Sequence, residues 1–160
     1  MAKNALVKRF AMVISEYRRR LKMNNIDVFD QCTAHIFSTL YESFPVPVDL
    51  DYSEPSVEIF DEEESADVAF DKLVIFEKSI LWLNSAGYLN IEAITYDGAH
   101  NVVLTAKGLE VLKLPSSLEV NGPSFGEKIV SSIKSGALKA SGEAAKLALS
   151  KGLALVVGNT

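Results

Sequence analysis

Apolar residues recur at three- and four-residue steps along most of this chain and change to strict alternation in one place, around residues 88–104. Leu6, Phe10, Val13, Ile14, Tyr17 and Leu21 share one face of a helix predicted over residues 5–22. A second helix is predicted over residues 27–42, burying Phe29, Ile36, Leu40 and Tyr41, with Cys32 and Ala34 filling the space between them. In residues 67–85, Ala69, Leu73, Phe76, Ile80 and Leu83 follow steps of four and three, and Phe70, Val74 and Leu81 widen that stripe into a broad buried face. Ser65 or Asp67 supplies the N-cap of this third helix, and Gly87 offers the left-handed residue that ends it.

The switch to alternation predicts a hairpin. Leu89, Ile91 and Ala93 alternate with polar residues, Asp97-Gly98 reads as a two-residue turn, and residues 101–104 supply the return strand. Upstream, Pro45 and Pro47 force extended backbone and place a short edge strand at residues 46–50. Thr105 caps a short helix over residues 106–112. Residues 115–124, bounded by Pro115 and Asn121-Gly122-Pro123, read as a linker, after which Ser124 and Glu127 spell a capping box that opens one long helix over residues 125–160. On that helix Ser132, Gly136, Ala140, Ala144, Ala148 and Gly152 recur every four residues. Such a ridge of small side chains admits the close approach of another helix, in water or in a membrane, and self-association through it would give a two-fold dimer most simply.

The series Leu83, then Ala86-Gly87-Tyr88-Leu89, a hairpin, and Leu104-Thr105-Ala106-Lys107-Gly108-Leu109 resembles the wing region of bacterial winged helix-turn-helix proteins of the MarR and PadR type. The resemblance implies an α+β, predominantly helical fold: a winged-helix core in residues 1–114 with a β-hairpin wing, followed by a C-terminal helical extension. It also makes the helix before the wing, residues 67–85, the recognition helix. That helix sets Lys72 and Lys78 against Asp67, Asp71 and Glu77, and residues 90–101 of the hairpin contain neither arginine nor lysine. Phosphate neutralisation supplies much of the affinity of a DNA reader, so this wing is poorly equipped for one. His100 is read as a solvent-exposed residue beside the turn rather than a base or phosphate contact, and Trp82 either anchors an interface or is partly buried beside Leu81 and Leu83.

Charge divides the chain into three. Residues 1–25 carry seven Lys/Arg against Glu16 alone, residues 26–100 carry sixteen Asp/Glu against Lys72 and Lys78, and residues 101–160 carry seven lysines against four glutamates, for an overall −5. Lys8, Arg9, Arg18, Arg19, Arg20 and Lys22 are the candidate contacts for nucleic acid or for an acidic partner. The cations at the end of that helix also complement its dipole. Asp61-Glu62-Glu63-Glu64 reads as an exposed loop whose nearest complement is this protein's own basic first helix, in cis or from another subunit.

At 160 residues, 48% hydrophobic and 23% charged, the chain matches one globular domain with an appendage. No leader pattern opens it, so a cytoplasmic location is expected. Cys32 is the sole cysteine and the chain has two histidines, so Cys32 and His35 form no zinc site and no metal or cofactor is expected. No phosphate-cradling glycine loop, HExxH or nucleophile motif is present, and catalysis is not expected. The expectation is a non-enzymatic interaction or oligomerisation protein, acting on a protein partner or as a homodimer. Its alternatives are a DNA-binding transcriptional regulator and a membrane-associating protein using its C-terminal helix, whose apolar end is too short to span a bilayer.

Overall fold

The computed structural model describes residues 2–20, 24–53 and 66–158, without the side chains of residues 2, 15–20, 156 and 157. Its elements are α1 (Ala2–Arg20), α2 (Asn25–Ser43), β1 (Val48–Asp51), α3 (Ala66–Ser85), β2 (Leu89–Asn90), β3 (Ala93–Ile94), β4 (Gly98–Leu104), α4 (Ala106–Lys113), α5 (Phe125–Lys134) and α6 (Leu138–Val157). The architecture is mixed α+β, mostly helical, with one small antiparallel sheet. The acidic run at residues 61–64 and the Ser65 cap lie outside the described residues, as do Leu21 and Lys22.

Helix α2 carries a broad apolar face, is buried around most of its circumference, and is capped by Asn24, whose side chain accepts from the Ile26 amide. It is accordingly packed from several sides, by α3, α5, α6 and β4. Cys32, Ala34, Ile36, Phe37 and Leu40 are buried in one core with Phe76, Ile80 and Leu83 of α3, Val102 and Leu104 of β4, and Ala144, Ala145 and Ala148 of α6.

At the end of α3, Gly87 takes φ +80°, its amide donating to the Asn84 carbonyl while the Tyr88 amide donates to the Leu83 carbonyl. This pair of bonds closes the helix and starts the hairpin in two residues. Strand β4 lies between β1 and the β2/β3 arm. The hairpin keeps one register throughout, Leu89 opposite Leu104 and Ile94 opposite Ala99. That register centres the reversal on Tyr96 and Asp97, one residue before the predicted Asp97-Gly98 turn. Gly98 belongs to β4 instead, opposite Asp51. A Cβ there would lie 2.6 Å from the Leu50 carbonyl oxygen, so the glycine serves the close approach of β1 rather than the turn. Thr105 caps α4 as expected, its hydroxyl accepting from the Gly108 amide and donating to the Gly87 carbonyl.

The C-terminal third departs most from the sequence reading. Residues 115–124 form a loop closed at its base, where Pro115 pairs with Ser124 and the Ser116 amide donates to Pro123. The Ser124–Glu127 capping box is present. The single long helix, however, is two: Gly136 at φ +73° ends α5, and α6 begins at Leu138. Both helices pack along α2.

A candidate protein-docking surface on helices 2 and 3

The two candidate sites of the sequence meet different fates. In the small-residue ridge, Ala144, Ala148 and Gly152 are buried, Ala140 and Ser132 are partly covered, and Gly136 is exposed in the break that divides the row. A Cβ at Gly152 would fall 2.5 Å from the Tyr88 hydroxyl, and one at Gly142 would press on Gln31 of α2. The ridge is therefore occupied within the chain. Of the basic cluster, Lys8 and Arg9 lie exposed on α1, while the side chains of Arg18, Arg19 and Arg20, and all of Lys22, lie outside the described residues.

The surface that sequence reasoning missed is on α3. Its outward line runs Phe70, Val74, Lys78, Trp82 at steps of four, with Phe70 65% and Trp82 49% exposed. Phe70 and Val74 were expected inside. A helix can bury only the arc its neighbours cover, and the apolar positions of α3 exceed the arc that α2 and β2 meet, so the excess faces solvent. That excess width was readable in the sequence. Between α2 and α3 the same face opens into a groove of about 440 Å³ lined by Ile26, Phe29, Val74, Ile75, Ser79 and Trp82 among others. Trp82 meets Phe29 edge to face, ring centroids 5.3 Å apart, and presents its other side to the groove, so it is both partly buried and available as an anchor.

Among the described residues Lys78 is the one charged group lining the groove. Exposed Asp71 and Asp67 stand one and two helical turns before Val74 on the same side of α3, whereas Asp27 faces the α6 side of α2 beside Lys139 and Lys146. Lys78 is paired with Glu77 at 2.8 Å. Lys72 is not on this face at all: it is buried near Cys32, whose thiol is pushed up to about 12 by burial, with the Lys72 charge pulling in the opposite sense. Burial of that kind marks Cys32 as a space-filling side chain rather than a nucleophile.

Helix α1 is exposed along its described side chains. Every described side chain of residues 3–14 is exposed, including Leu6 at 74% and Phe10 at 68%, beside Lys3, Lys8 and Arg9. Burying each large apolar side chain contributes about 1.5–3 kcal/mol, and a helix in a protein takes most of its stability from packing of its apolar face rather than from propensity. The free energy of α1 thus falls steeply when its stripe is covered.

On the hairpin, His100 is held rather than free. Its Nδ1 lies 3.3 Å from Asp49 Oδ2, and its Nε2 lies 2.7 Å from the Thr95 hydroxyl. The hydrogen bond to Asp49 raises its pKa above the usual 6.5 despite an opposing desolvation. Asp49 in turn accepts from the Asn101 amide, which with the Asn101 φ of 50° fixes the irregularity between β1 and β4. With carboxylates already on it, His100 is a poor phosphate ligand.

Among the described residues no group of three or more His, Cys, Asp or Glu is gathered to hold a metal, and no helix is long and apolar enough to cross a membrane. Comparison with protein-family models, with curated proteins and with solved structures finds no match to this chain.

Proposed function

We propose that this protein is a non-enzymatic interaction or oligomerisation protein built on a winged-helix scaffold, and that the α2/α3 groove is its docking surface. The scaffold reading is supported by the strand order, with β4 between β1 and the β2/β3 arm, and by α3 leading directly into the hairpin. The observation that carries the function is the outward face of α3. Where a DNA reader presents several cations to phosphate, this helix presents Phe70, Val74 and Trp82 with a single lysine, Lys78, paired to Glu77, and with exposed Asp67 and Asp71 on the same side. An apolar centre with a charged rim and a half-open tryptophan is the composition of a protein interface.

A photo-crosslinking residue placed at position 70 or 74, irradiated in cells that make the protein, tests this reading. The expected result is a defined protein adduct at those positions and none at exposed Lys113 on α4. Absence of any protein adduct at 70 and 74 refutes it. The competing regulator reading takes its support from exposed Lys8 and Arg9 on α1. It requires salt-sensitive binding to pooled duplex DNA that is lost when Lys8, Arg9 and Arg18–Arg20 become alanine.

A further inference from the structure

We infer that the occupant of the α2/α3 groove is helix α1 of a second copy of this chain, exchanged reciprocally so that two copies form a closed dimer. The inference rests on the docking reading above and names its partner.

Two unpartnered apolar surfaces exist in one chain, and their shapes and charges are opposite. One is convex: α1 carries Leu6, Phe10, Val13 and Ile14 as a continuous stripe, exposed along its described length. The other is concave: the groove between Ile26 and Phe29 on one wall and Val74, Ile75 and Trp82 on the other. The helix is basic, with Lys3, Lys8 and Arg9 exposed and Glu16 its sole acidic residue. On the α3 wall of the groove, exposed Asp71 and Asp67 stand one and two helical turns before Val74 and give that end the opposite sign, while Lys78 is paired with Glu77. An amphipathic helix laid in an apolar groove with charged edges is a recurring mode of recognition.

Within one chain α1 is not folded onto this groove, since its residues 3–14 are exposed. The small-residue ridge on α6, the other candidate for self-association, is already filled by α2 and Tyr88. Each copy then has one helix to give and one groove to receive it. Reciprocal exchange satisfies both and closes at two, which leaves no open surface to propagate a filament.

Light scattering on the full chain and two variants tests this. Phe10→Asp damages the helix and Val74→Asp damages the groove, both at exposed positions, so circular dichroism should show native helix content in each. Wild type is expected to be a dimer. Either variant alone has both docking contacts damaged. If each contact loses about tenfold, the dimer weakens by about a hundredfold. An equimolar mixture of the two variants restores one contact with an intact helix in an intact groove and gathers both substitutions into the other, where the second adds little to a contact the first has already broken, so the mixed dimer is expected about tenfold weaker than wild type and about tenfold tighter than either variant alone.

A monomeric wild type overturns the inference, whether α1 folds back in cis or instead carries the protein onto phosphatidylserine vesicles. So does a Val74→Asp protein that remains a full dimer, which would pair α1 with α1, and so does a mixture no tighter than its components. A monomer that still yields protein adducts at position 74 ends helix exchange and leaves the docking surface standing; no adducts at all end both.

Discussion

Replacing Gly152 by alanine sets helix propensity against packing, and the structure decides which wins. Alanine in the interior of α6 gains about 1 kcal/mol over glycine. Its Cβ, however, would lie 2.5 Å from the Tyr88 hydroxyl, 3.2 Å from Tyr88 Cε1 and 3.1 Å from Val111 Cγ2. Tyr88 has little freedom to withdraw: it is 1% exposed, its carbonyl accepts from the Thr105 amide, and Lys107 sits 4.2 Å over its ring. Forcing a methyl into such a site costs about 1–3 kcal/mol. The net expectation is a loss of about 1 kcal/mol, or roughly 2–4 °C in melting temperature for a chain of this size. Tyr88→Phe removes the closest clashing atom, so in that background Gly152→Ala should become neutral or stabilising, with a coupling of about 1–2 kcal/mol between the sites. Urea unfolding of the four proteins, followed by circular dichroism at constant m, measures this. If Gly152→Ala stabilises the wild-type protein by its full helix-propensity gain, α6 does not press on Tyr88 and the packing described for the C-terminal helices is wrong.

Gly108→Ala should cost more, at least about 2 kcal/mol, because the atom it meets at 2.3 Å is the backbone carbonyl of Tyr88, which cannot rotate aside; a loss below 0.5 kcal/mol on the scale of that estimate would contradict the close seating of α4 on the hairpin. Ser124→Ala removes the hydroxyl half of the α5 capping box, leaving the Glu127 carboxylate on the residue-124 amide, and should cost about 1 kcal/mol by the same unfolding assay, while Ser131→Ala, whose exposed hydroxyl takes no part in the N-cap, serves as the neutral control. The hairpin has a pH window. His100 is raised above 6.5 chiefly by Asp49, so its contribution is full below that value and is lost as pH rises through the raised value. Asp49, held down mainly by the Asn101 amide, and Asp97, held down mainly by Thr95, contribute above 3.8 and lose that contribution as pH falls. The β1–β4 contact should be tightest between 3.8 and 6.5, and an NMR titration should show the His100 pKa falling toward 6.5 in Asp49→Asn. An unchanged His100 titration would remove Asp49 as the cause.

Local chemistry was legible wherever a signal was confined to a few residues. The Thr105 and Ser124 caps, the Gly87 helix stop and the positions of α2, α3 and α4 follow from side chains that bond within three or four positions of themselves. The errors came where one residue type serves two purposes. Gly98 reads as a turn but is needed beside Leu50, and Gly136 sits in phase with a small-residue ridge yet takes the positive φ that divides it. Lys72 and Phe70 are exchanged relative to expectation, the cation inside and the aromatic outside, because periodicity gives the width of an apolar stripe and not the direction in which α2 will meet it. The docking surface was legible only as an excess of apolar positions on α3, and the opposite charges of residues 1–25 and 26–100 were its clearest trace.

The position of α2 has a consequence for how the chain is made. Glu42 at its end is bonded to Lys134 of α5, 92 residues later, and α6 follows further still. During synthesis α2 emerges with a broad apolar surface well before the helices that shield one side of it, α5 and α6, leave the ribosome. Nascent chains would therefore carry an uncovered helix until α6 has been made, and any stop codon before α6 would release a polypeptide with a permanently open flank, a substrate for chaperones and proteases rather than a shortened functional protein.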